Sequence, residues 1–237
     1  MKPDSPTGLP EFDQYAKSYD AALAEGLSVS GEEKTYFAHG RAAWLAKCLH
    51  DFSPPIRAVL DFGCGTGSST PFLLDHLQPS LLVGVDVSAQ SILEARRSHS
   101  SARASFHSVQ DYQPGGAIDL AFCNGVFHHI RSAERVAAVS YVFRSLRCGG
   151  RFAFWENNPW NPGTRWVMSR IPFDRDAVTL GPSESRRLLR RGGFEILRTD
   201  FLFIFPRALR WFRRWEPALS RWPFGAQYQV LCRKPQA

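Results

Sequence analysis

The residues best suited to hold a ligand lie in a short glycine-rich turn. Asp61 sits within the apolar run 59–62, and Gly63, Gly65 and Gly67 follow at alternate positions. Glycine adopts backbone conformations that other residues avoid, and it lets a ligand approach the main chain closely. A helix that starts at such a turn also offers unpaired N–H groups. The pattern therefore predicts a strand that turns tightly into a helix around a ligand.

The spacing of the glycines separates the candidate ligands. A dinucleotide-binding turn would place its third glycine where this chain has Ser68, and the Gly-Lys-Ser/Thr ending of a Walker loop does not occur. Asp61 would also repel a pyrophosphate but attract the cationic end of a ligand. A second acid, Asp86, follows the apolar segment 81–85 and lies 19 residues after Gly67, about where a carboxylate binds the ribose of an adenosine cofactor. We therefore expect an adenosine ligand with a positive charge rather than a diphosphate.

These motifs resemble those of the class I S-adenosylmethionine-dependent methyltransferases, in which a strand, an acid and Gly-x-Gly-x-Gly precede a strand that ends in the ribose-binding acid. The resemblance covers about residues 58–155 and includes the segments 118–124, 126–130 and 146–151. It implies S-adenosyl-L-methionine as the cofactor. It also implies an α/β fold with a doubly wound, Rossmann-like and mostly parallel seven-stranded sheet, N-terminal lid helices and an antiparallel C-terminal edge.

By this resemblance, the glycine turn and Asp61 hold the methionine end of the cofactor, Asp86 holds the ribose and Val87 covers one adenine face. The polar residue near the adenine amino group is Gln110 or Asp111, because a Val-Gln-Asp segment replaces the family's common Gly-Asp pair; we favour Asp111. The predicted cofactor-binding set is Tyr15, Arg41, Asp61, Gly63, Gly65, Gly67, Asp86, Val87, Gln110, Asp111 and Asn124.

The N-terminal segment looks like the lid of many small-molecule methyltransferases. Tyr15 and Tyr19 are four residues apart and share one helix face. One of them could cover the sulfonium or the acceptor, or both rings could pack the helix onto the sheet. Arg41 could pair with the cofactor carboxylate or be a solvated helix arginine.

Candidate bases follow the fourth and fifth predicted strands, although in-line positioning and exclusion of water can activate a sulfonium methyl without one. A carboxylate that ends a buried strand is costly unless paired or solvated, so Glu156 ranks first. Either adjacent histidine could instead cap or pack the following helix. The predicted catalytic set is Glu156, His129, His128 and Tyr19, with no metal site. Asn157, Asn158, Trp160 and Asn161 could shape the acceptor pocket or form turns.

Strand and helix patterns alternate from residue 57, which predicts a parallel sheet covered on both faces, with ligands at the carboxyl ends of its strands. We predict strands at 58–62, 81–85, 104–108, 118–123, 151–155, 194–205 and 227–232. We predict helices at 11–24, 31–49, 68–77, 89–97, 133–146 and 182–190, and a long loop at 157–176. The expected organisation is a disordered tail, 1–10, and a single methyltransferase domain, 11–237, whose lid helices occupy 11–50.

The insert 206–222 is predicted to be a basic amphipathic helix. Trp211, Trp215, Leu219 and Trp222 recur at helical spacing, with Arg207, Arg210, Arg213, Arg214 and Arg221 on other faces. The aromatic stripe could pack on the sheet edge while the arginines are solvated. Alternatively, the insert forms part of an acceptor lid or docks on an anionic membrane to reach a lipid-linked substrate.

Composition places the chain among ordinary globular proteins: it has 237 residues, 44% apolar and 22% charged. Five scattered cysteines without a Cys-x-x-Cys pair argue against a disulfide framework and a zinc site. The cysteine usage favours a reducing cytoplasm, and the polar segment 1–10 does not resemble a secretory signal. Residues 186–221 contain ten arginines and three acids, and this excess of positive charge equals the net charge of +7 of the whole chain.

The function predicted is methyl transfer from S-adenosylmethionine to a small-molecule or lipid-linked acceptor. Nucleic acid is not expected as a partner, because the segment 123–126 lacks the Asn/Asp-Pro-Pro-aromatic pattern of amino-group methylating enzymes of that class. An NAD-dependent oxidoreductase would share the fold class but needs the other glycine spacing. A non-catalytic adenosyl-ligand-binding protein would bind the cofactor without turnover.

Overall fold

The computed structural model describes residues 31–52, 55–171 and 178–236. The strands are β1 Ala58–Phe62, β2 Leu81–Asp86, β3 Ala104–Ser108, β4 Ile118–Asn124, β5 Leu146–Asn157, β6 Glu195–Leu202 and β7 Gln227–Arg233. They form one seven-stranded sheet in the order β3-β2-β1-β4-β5-β7-β6. Strand β7 is antiparallel to β5 and β6, and the other neighbouring strands pair in parallel. The predicted fold class is confirmed.

Helices connect the strands. They are α1 Lys34–Cys48, α2 Thr70–Leu77, α3 Ala89–His99, α4 Arg135–Ser145, α5 Pro162–Arg170, α6 Pro182–Arg191 and α7 Glu216–Leu219, with a 3-10 helix at Arg207–Trp215. Helix α3 starts where the Ser88 hydroxyl accepts a hydrogen bond from the Ser91 N–H at 3.1 Å, which satisfies one unpaired donor of the first turn. None of the described helices combines the length and apolarity needed to cross a bilayer.

Both faces of the sheet are buried because successive strand residues point to opposite sides. Phe152 and Phe154 of β5 belong to the core that includes Val139 of α4. Ala153 and Trp155 belong to the core on the other face, which includes residues of α1 and α2. This two-sided burial explains why the sequences of the central strands are continuous apolar runs. The ends of the strands lie at the edge of the sheet, where loops can form a site.

Several predicted boundaries are wrong. Helix α5 lies inside the predicted loop 157–176 and starts where Asn161 Oδ1 accepts a hydrogen bond from the Thr164 N–H at 3.0 Å. Strand β5 begins at Leu146, five residues before its predicted start. Strand β6 ends at Leu202 instead of residue 205, because Phe203 has a φ of +62° and leaves the extended conformation. The predicted helix 11–24 and the tail 1–10 lie outside the described residues.

The predicted single helix over 206–222 is also wrong. Residues Arg207–Trp215 form a 3-10 helix with non-helical angles at Leu209, and α7 follows with Pro217 in its first turn. Proline lacks an N–H and clashes with the preceding turn, so an α-helix cannot continue through residue 217 undisturbed. Neither element has a buried residue, so the tryptophan stripe does not pack on the sheet edge.

Candidate functional site

The glycine turn follows β1 and is tied to β2. The N–H groups of Gly63 and Cys64 donate hydrogen bonds to the Val85 carbonyl at 2.8 and 3.1 Å. Gly63 has a φ of +72°, and a Cβ there would lie 2.3 Å from Val126 Cγ2. Gly65 has a φ of +52°, but a Cβ there would meet no atom within 4 Å. The turn therefore needs glycine for backbone and packing reasons and leaves open space beside its main chain.

A cavity of ≈ 380 Å³ and a second of ≈ 400 Å³ lie side by side at the carboxyl ends of the strands. The larger one, which we call the turn cavity, borders the glycine turn. Its lining also includes Asp61, Asp86, Val87, Ser91, Val109, Phe122, Asn124 and Glu134. Most residues predicted to bind the cofactor therefore lie around one space, as the motifs implied.

Asp61 is an unusual acid within the turn cavity. Its side chain is buried, and Oδ2 makes no hydrogen bond with any described residue. Burial raises the pKa of Asp61 to about 7; the charge of Asp86 adds to this rise and Arg41 opposes it. A cationic group at this carboxylate would replace the lost solvation and favour the ionised form. The local chemistry fits a ligand ammonium group.

Asp86 also stabilises the glycine turn through hydrogen bonds. Its Oδ2 accepts a hydrogen bond from the Gly65 N–H at 2.8 Å and its Oδ1 accepts one from the Ser88 N–H at 2.9 Å. The next residue, Val87, is 61% exposed and lines the same cavity. The acid therefore both fixes the glycine turn and borders the ligand space.

Gln110 and Asp111, the two candidates for the adenine amino group, follow β3 at the surface. Both are exposed, and neither lines the turn cavity; Val109 is the lining residue of this segment. The Gln110 N–H and the Asp111 N–H donate to the side chain and carbonyl of Ser108, which makes the segment a tight turn. Their role in adenine recognition stays a prediction.

The smaller cavity, which we call the aromatic cavity, is lined by α1, α5 and the segment after β6. Its apolar lining includes Tyr36, Phe37, Val167, Met168, Ile171, Phe203, Ile204 and Phe205. Phe203 packs edge-on against Phe37 with ring centroids 5.0 Å apart. A Cβ on Gly40 would lie 2.7 Å from the Phe203 ring. Close packing of this ring on α1 holds Phe203 in its left-handed conformation, a strained state for phenylalanine.

Five of the described residues line both cavities: Lys34, Arg41, Asn124, Gly125 and His129. Arg41 is 6% exposed and donates from Nη1 to Gln227 Oε1 at 2.9 Å. Gln227 in turn donates from Nε2 to Asn157 Oδ1 at 3.3 Å. Arg41 is therefore a buried, hydrogen-bonded arginine at the junction of the cavities and not a solvated surface arginine.

Glu156 and His128, two predicted catalytic residues, form a buried pair. Glu156 Oε2 lies 2.6 Å from His128 Nδ1, and Oε1 accepts a hydrogen bond from the Phe127 N–H at 2.8 Å. Glu156 lines neither cavity, whereas His128 lines the aromatic cavity and His129 lines both. The carboxylate therefore lies behind the histidine as seen from the cavity.

Arg135 is a residue of the site that sequence reasoning missed. Its side chain is buried, and Nε lies 3.1 Å from the Phe127 carbonyl and 3.0 Å from the Ile130 carbonyl. Together with Glu156 it holds the histidine loop 127–130 from two sides. A signal was present: Arg135 is in helical register with the buried Val139 and Val142, and an arginine on an apolar face requires partners.

The remaining predicted site residues divide into three groups. Asn157 and Asn161 line the aromatic cavity. Asn158 is buried and donates to the Pro223 and Gly225 carbonyls, and Trp160 is exposed. Tyr15 and Tyr19 lie outside the described residues.

Comparisons with known proteins agree with this geometry. Residues 60–152 match a family model described as a methyltransferase domain. Trans-aconitate 2-methyltransferase from Azoarcus sp. (strain BH72) is 27% identical over 114 residues, which are 48% of this chain and 44% of the relative. Ribosomal protein L11 methyltransferase from Methylobacillus flagellatus is 30% identical over 140 residues, which are 57% of this chain and 45% of the relative. The chain thus spans about half the length of these curated relatives.

Among solved structures, an S-adenosylmethionine dependent methyltransferase from Mesorhizobium loti superposes with a TM-score of 0.57 at 19% identity. The match covers 81% of this chain and 97% of that one. At this identity, the likeness shows a common fold.

Proposed function

We propose that the chain is a class I S-adenosylmethionine-dependent methyltransferase that transfers a methyl group to a small-molecule or lipid-linked acceptor; the methyltransferase-domain match over residues 60–152 supports this proposal. The observation that carries the proposal is the pair of cavities joined at Arg41, Asn124 and His129. One cavity has the acids and glycines suited to the cofactor, and the other has room for an acceptor. The described lining residues of the two cavities do not favour an oxidoreductase or a non-catalytic binding protein.

The residues around the turn cavity fit the cofactor. Asp61, a buried carboxylate whose Oδ2 has no hydrogen-bond partner among the described residues, would pair with its ammonium group. Asp86 would accept hydrogen bonds from the ribose hydroxyls, and Val87 would cover the adenine. When bound, S-adenosylmethionine supplies a methyl group already activated by a positively charged sulfur.

The aromatic cavity would position the acceptor. Its aromatic and aliphatic lining would shield a bound acceptor from water, while Arg41, His128, His129 and Asn157 offer polar groups. This arrangement suits an acceptor with an apolar body and a polar reacting end. Holding that end in line with the methyl group supplies most of the rate enhancement expected for such a transfer.

His128 is the residue we propose as the general base, with Glu156 as its positioning residue. A proton on His128 Nδ1 shared with Glu156 leaves Nε2 as the basic nitrogen of the ring in that tautomer. The carboxylate also stabilises the imidazolium that forms when Nε2 takes the acceptor's proton. Glu156 therefore acts through His128, in contrast to the direct base expected from its position at the end of a strand.

Calorimetric titration with S-adenosylhomocysteine, followed by transfer of labelled methyl groups to a panel of phenols, carboxylic acids, amines and isoprenoid lipids, tests the function. We expect binding, and labelling of at least one class. Absence of binding to both the cofactor and its thioether product would refute the proposal. With the acceptor in hand, Glu156→Gln should lower kcat about 10- to 100-fold and shift the acidic limb of its pH profile. The exposed control Glu94→Gln should leave both unchanged.

A further inference from the structure

The segment 207–224, which we call the tryptophan segment, exposes large aromatic side chains at the surface. Trp211 is 70% exposed, Trp215 is 50% exposed and Trp222 is 58% exposed. Trp222 also stacks on the exposed Phe224, with ring centroids 6.1 Å apart. Tryptophan contributes far more when covered than when solvated, and folded chains rarely leave apolar groups clustered at the surface without a partner.

The arginines of the tryptophan segment are arranged among these rings. The Arg210 guanidinium lies 5.1 Å from the Trp211 ring centroid, and the Arg214 guanidinium lies 5.2 Å from that of Trp215. A guanidinium stacked on an indole keeps its N–H edge available for a phosphate or carboxylate. The single acid of the segment, Glu216, accepts a hydrogen bond from the Phe205 N–H. The exposed side therefore carries positive charge and aromatic surface together.

The tryptophan segment also borders the aromatic cavity. Phe205 and Pro206, which lead into it, line that cavity, and so does Arg213 within it. Arg213 is held by Glu32 at 2.8 Å and by the Phe205 carbonyl at 3.1 Å, so the segment is anchored to the cavity wall. A surface that docks through these tryptophans would therefore lie next to the proposed acceptor site.

We propose that the tryptophan segment docks on an anionic lipid surface and that the acceptor enters the aromatic cavity from that surface. The proposal rests on the proposed function only for the acceptor, since docking itself needs no methyl transfer. Indole rings favour the headgroup level of a bilayer, and nearby arginines are attracted to anionic lipids. A nucleic acid would satisfy the same arginines, but it would not explain why the segment borders an apolar cavity.

The test is sedimentation of the full chain with phosphatidylcholine vesicles that contain either no or about 30% phosphatidylglycerol, at low and high salt. We expect binding to the anionic vesicles, weakened by salt. A triple variant, Arg207→Gln with Arg210→Gln and Arg214→Gln, should weaken partitioning roughly 100-fold, at about fivefold per arginine. Bromolipids should quench tryptophan fluorescence in the native chain.

The matched control removes three exposed arginines elsewhere, by Arg187→Gln, Arg190→Gln and Arg191→Gln on α6. Equal loss of binding in the control would overturn the proposal, because it would reduce docking to net charge. So would absence of binding to anionic vesicles, including the case in which a single-stranded 20-mer RNA binds instead.

A second variant, Trp211→Ala with Trp215→Ala, isolates the indole contribution and should lower partitioning at least about tenfold at constant charge. Affinity for S-adenosylhomocysteine, measured on the same preparations, should be unchanged in all variants. A chain that binds vesicles but not S-adenosylhomocysteine would refute the proposed function and leave the docking surface standing. A chain that binds S-adenosylhomocysteine but not vesicles would refute the docking surface alone.

Discussion

The buried acid of the turn cavity, Asp61, should make the ligand-free native chain less stable as pH rises. The variant Asp61→Asn should lack this loss, so its stability relative to the native chain should be higher at alkaline pH than at acidic pH. Burial, with a further contribution from Asp86, raises the pKa of Asp61 from 3.8 to about 7. Because the folded state binds the proton more tightly than the unfolded state, the free energy of unfolding falls as pH rises from about 4 to about 7. Above pH 7 the ionised carboxylate imposes its full cost on the fold. Asparagine does not ionise, so this pH dependence disappears with it.

The magnitude follows from the pKa difference between the folded and unfolded states. A shift of roughly three pKa units corresponds to about 4 kcal/mol at pH values above both pKa values. Between pH 5 and pH 8, the native chain should lose about 2 to 3 kcal/mol that the variant does not lose. Any constant cost of burying the asparagine amide cancels in this difference, which makes the comparison of two pH values the informative quantity.

The assay is urea unfolding at pH 5 and pH 8, with Asp75→Asn on the exposed side of α2 as a matched control. The control should show the same pH dependence as the native chain. The same titrating group predicts that affinity for S-adenosylhomocysteine falls about tenfold for each pH unit below 7 in the native chain but not in Asp61→Asn. If the stability difference between native chain and variant is the same at both pH values, the buried, unpartnered state of Asp61 is refuted.

Three further substitutions address the elements that hold the site. Asp86→Ala should weaken S-adenosylhomocysteine affinity at least about 100-fold, because it removes charged hydrogen bonds. Circular dichroism should show that the fold is retained. Unchanged affinity would contradict the ribose role. Gly63→Ala should lower the free energy of unfolding in urea by about 3 kcal/mol, because both the positive φ and the contact with Val126 disfavour a Cβ. Adding Val126→Ala should restore only the part of this loss that comes from the steric contact. Arg135→Met should cost about 3 kcal/mol by the same assay, and a loss under 0.5 kcal/mol would contradict its hold on the histidine loop.

The glycine turn and its acids could be predicted from sequence because local patterns determine them. An apolar run followed by alternate glycines constrains the chain within a few residues, and Asp86 follows from its place at the end of the next apolar run. Strand β3, predicted at 104–108, has those bounds in the structure. Such elements depend on neighbours in sequence and little on distant contacts.

Other features depend on tertiary contacts and could not be predicted. Helix α5 has two start signals, Asn161 and Pro162, but buries only Thr164 and Met168 on its short length, so its apolar period is weak. Phe203 takes a positive φ that phenylalanine does not favour by itself, because its ring packs against α1. The position of Glu156 at the end of a buried strand predicted that its carboxylate needs a partner. The identity of that partner, His128, could be known only from the fold.

The family match covers most of the turn cavity and little of the aromatic cavity. The matched residues, 60–152, include the glycine turn, both acids and most of the turn cavity. Of the described residues that line the aromatic cavity, only Asn124, Gly125, His128 and His129 fall within the match. Its other described lining residues lie outside the matched range, mostly in α1, α5 and the segments around β6 and β7. We therefore expect acceptor choice to depend on residues outside the matched range. Substitutions at Tyr36, Met168 or Phe205 should change the preferred acceptor, while affinity for S-adenosylhomocysteine stays the same.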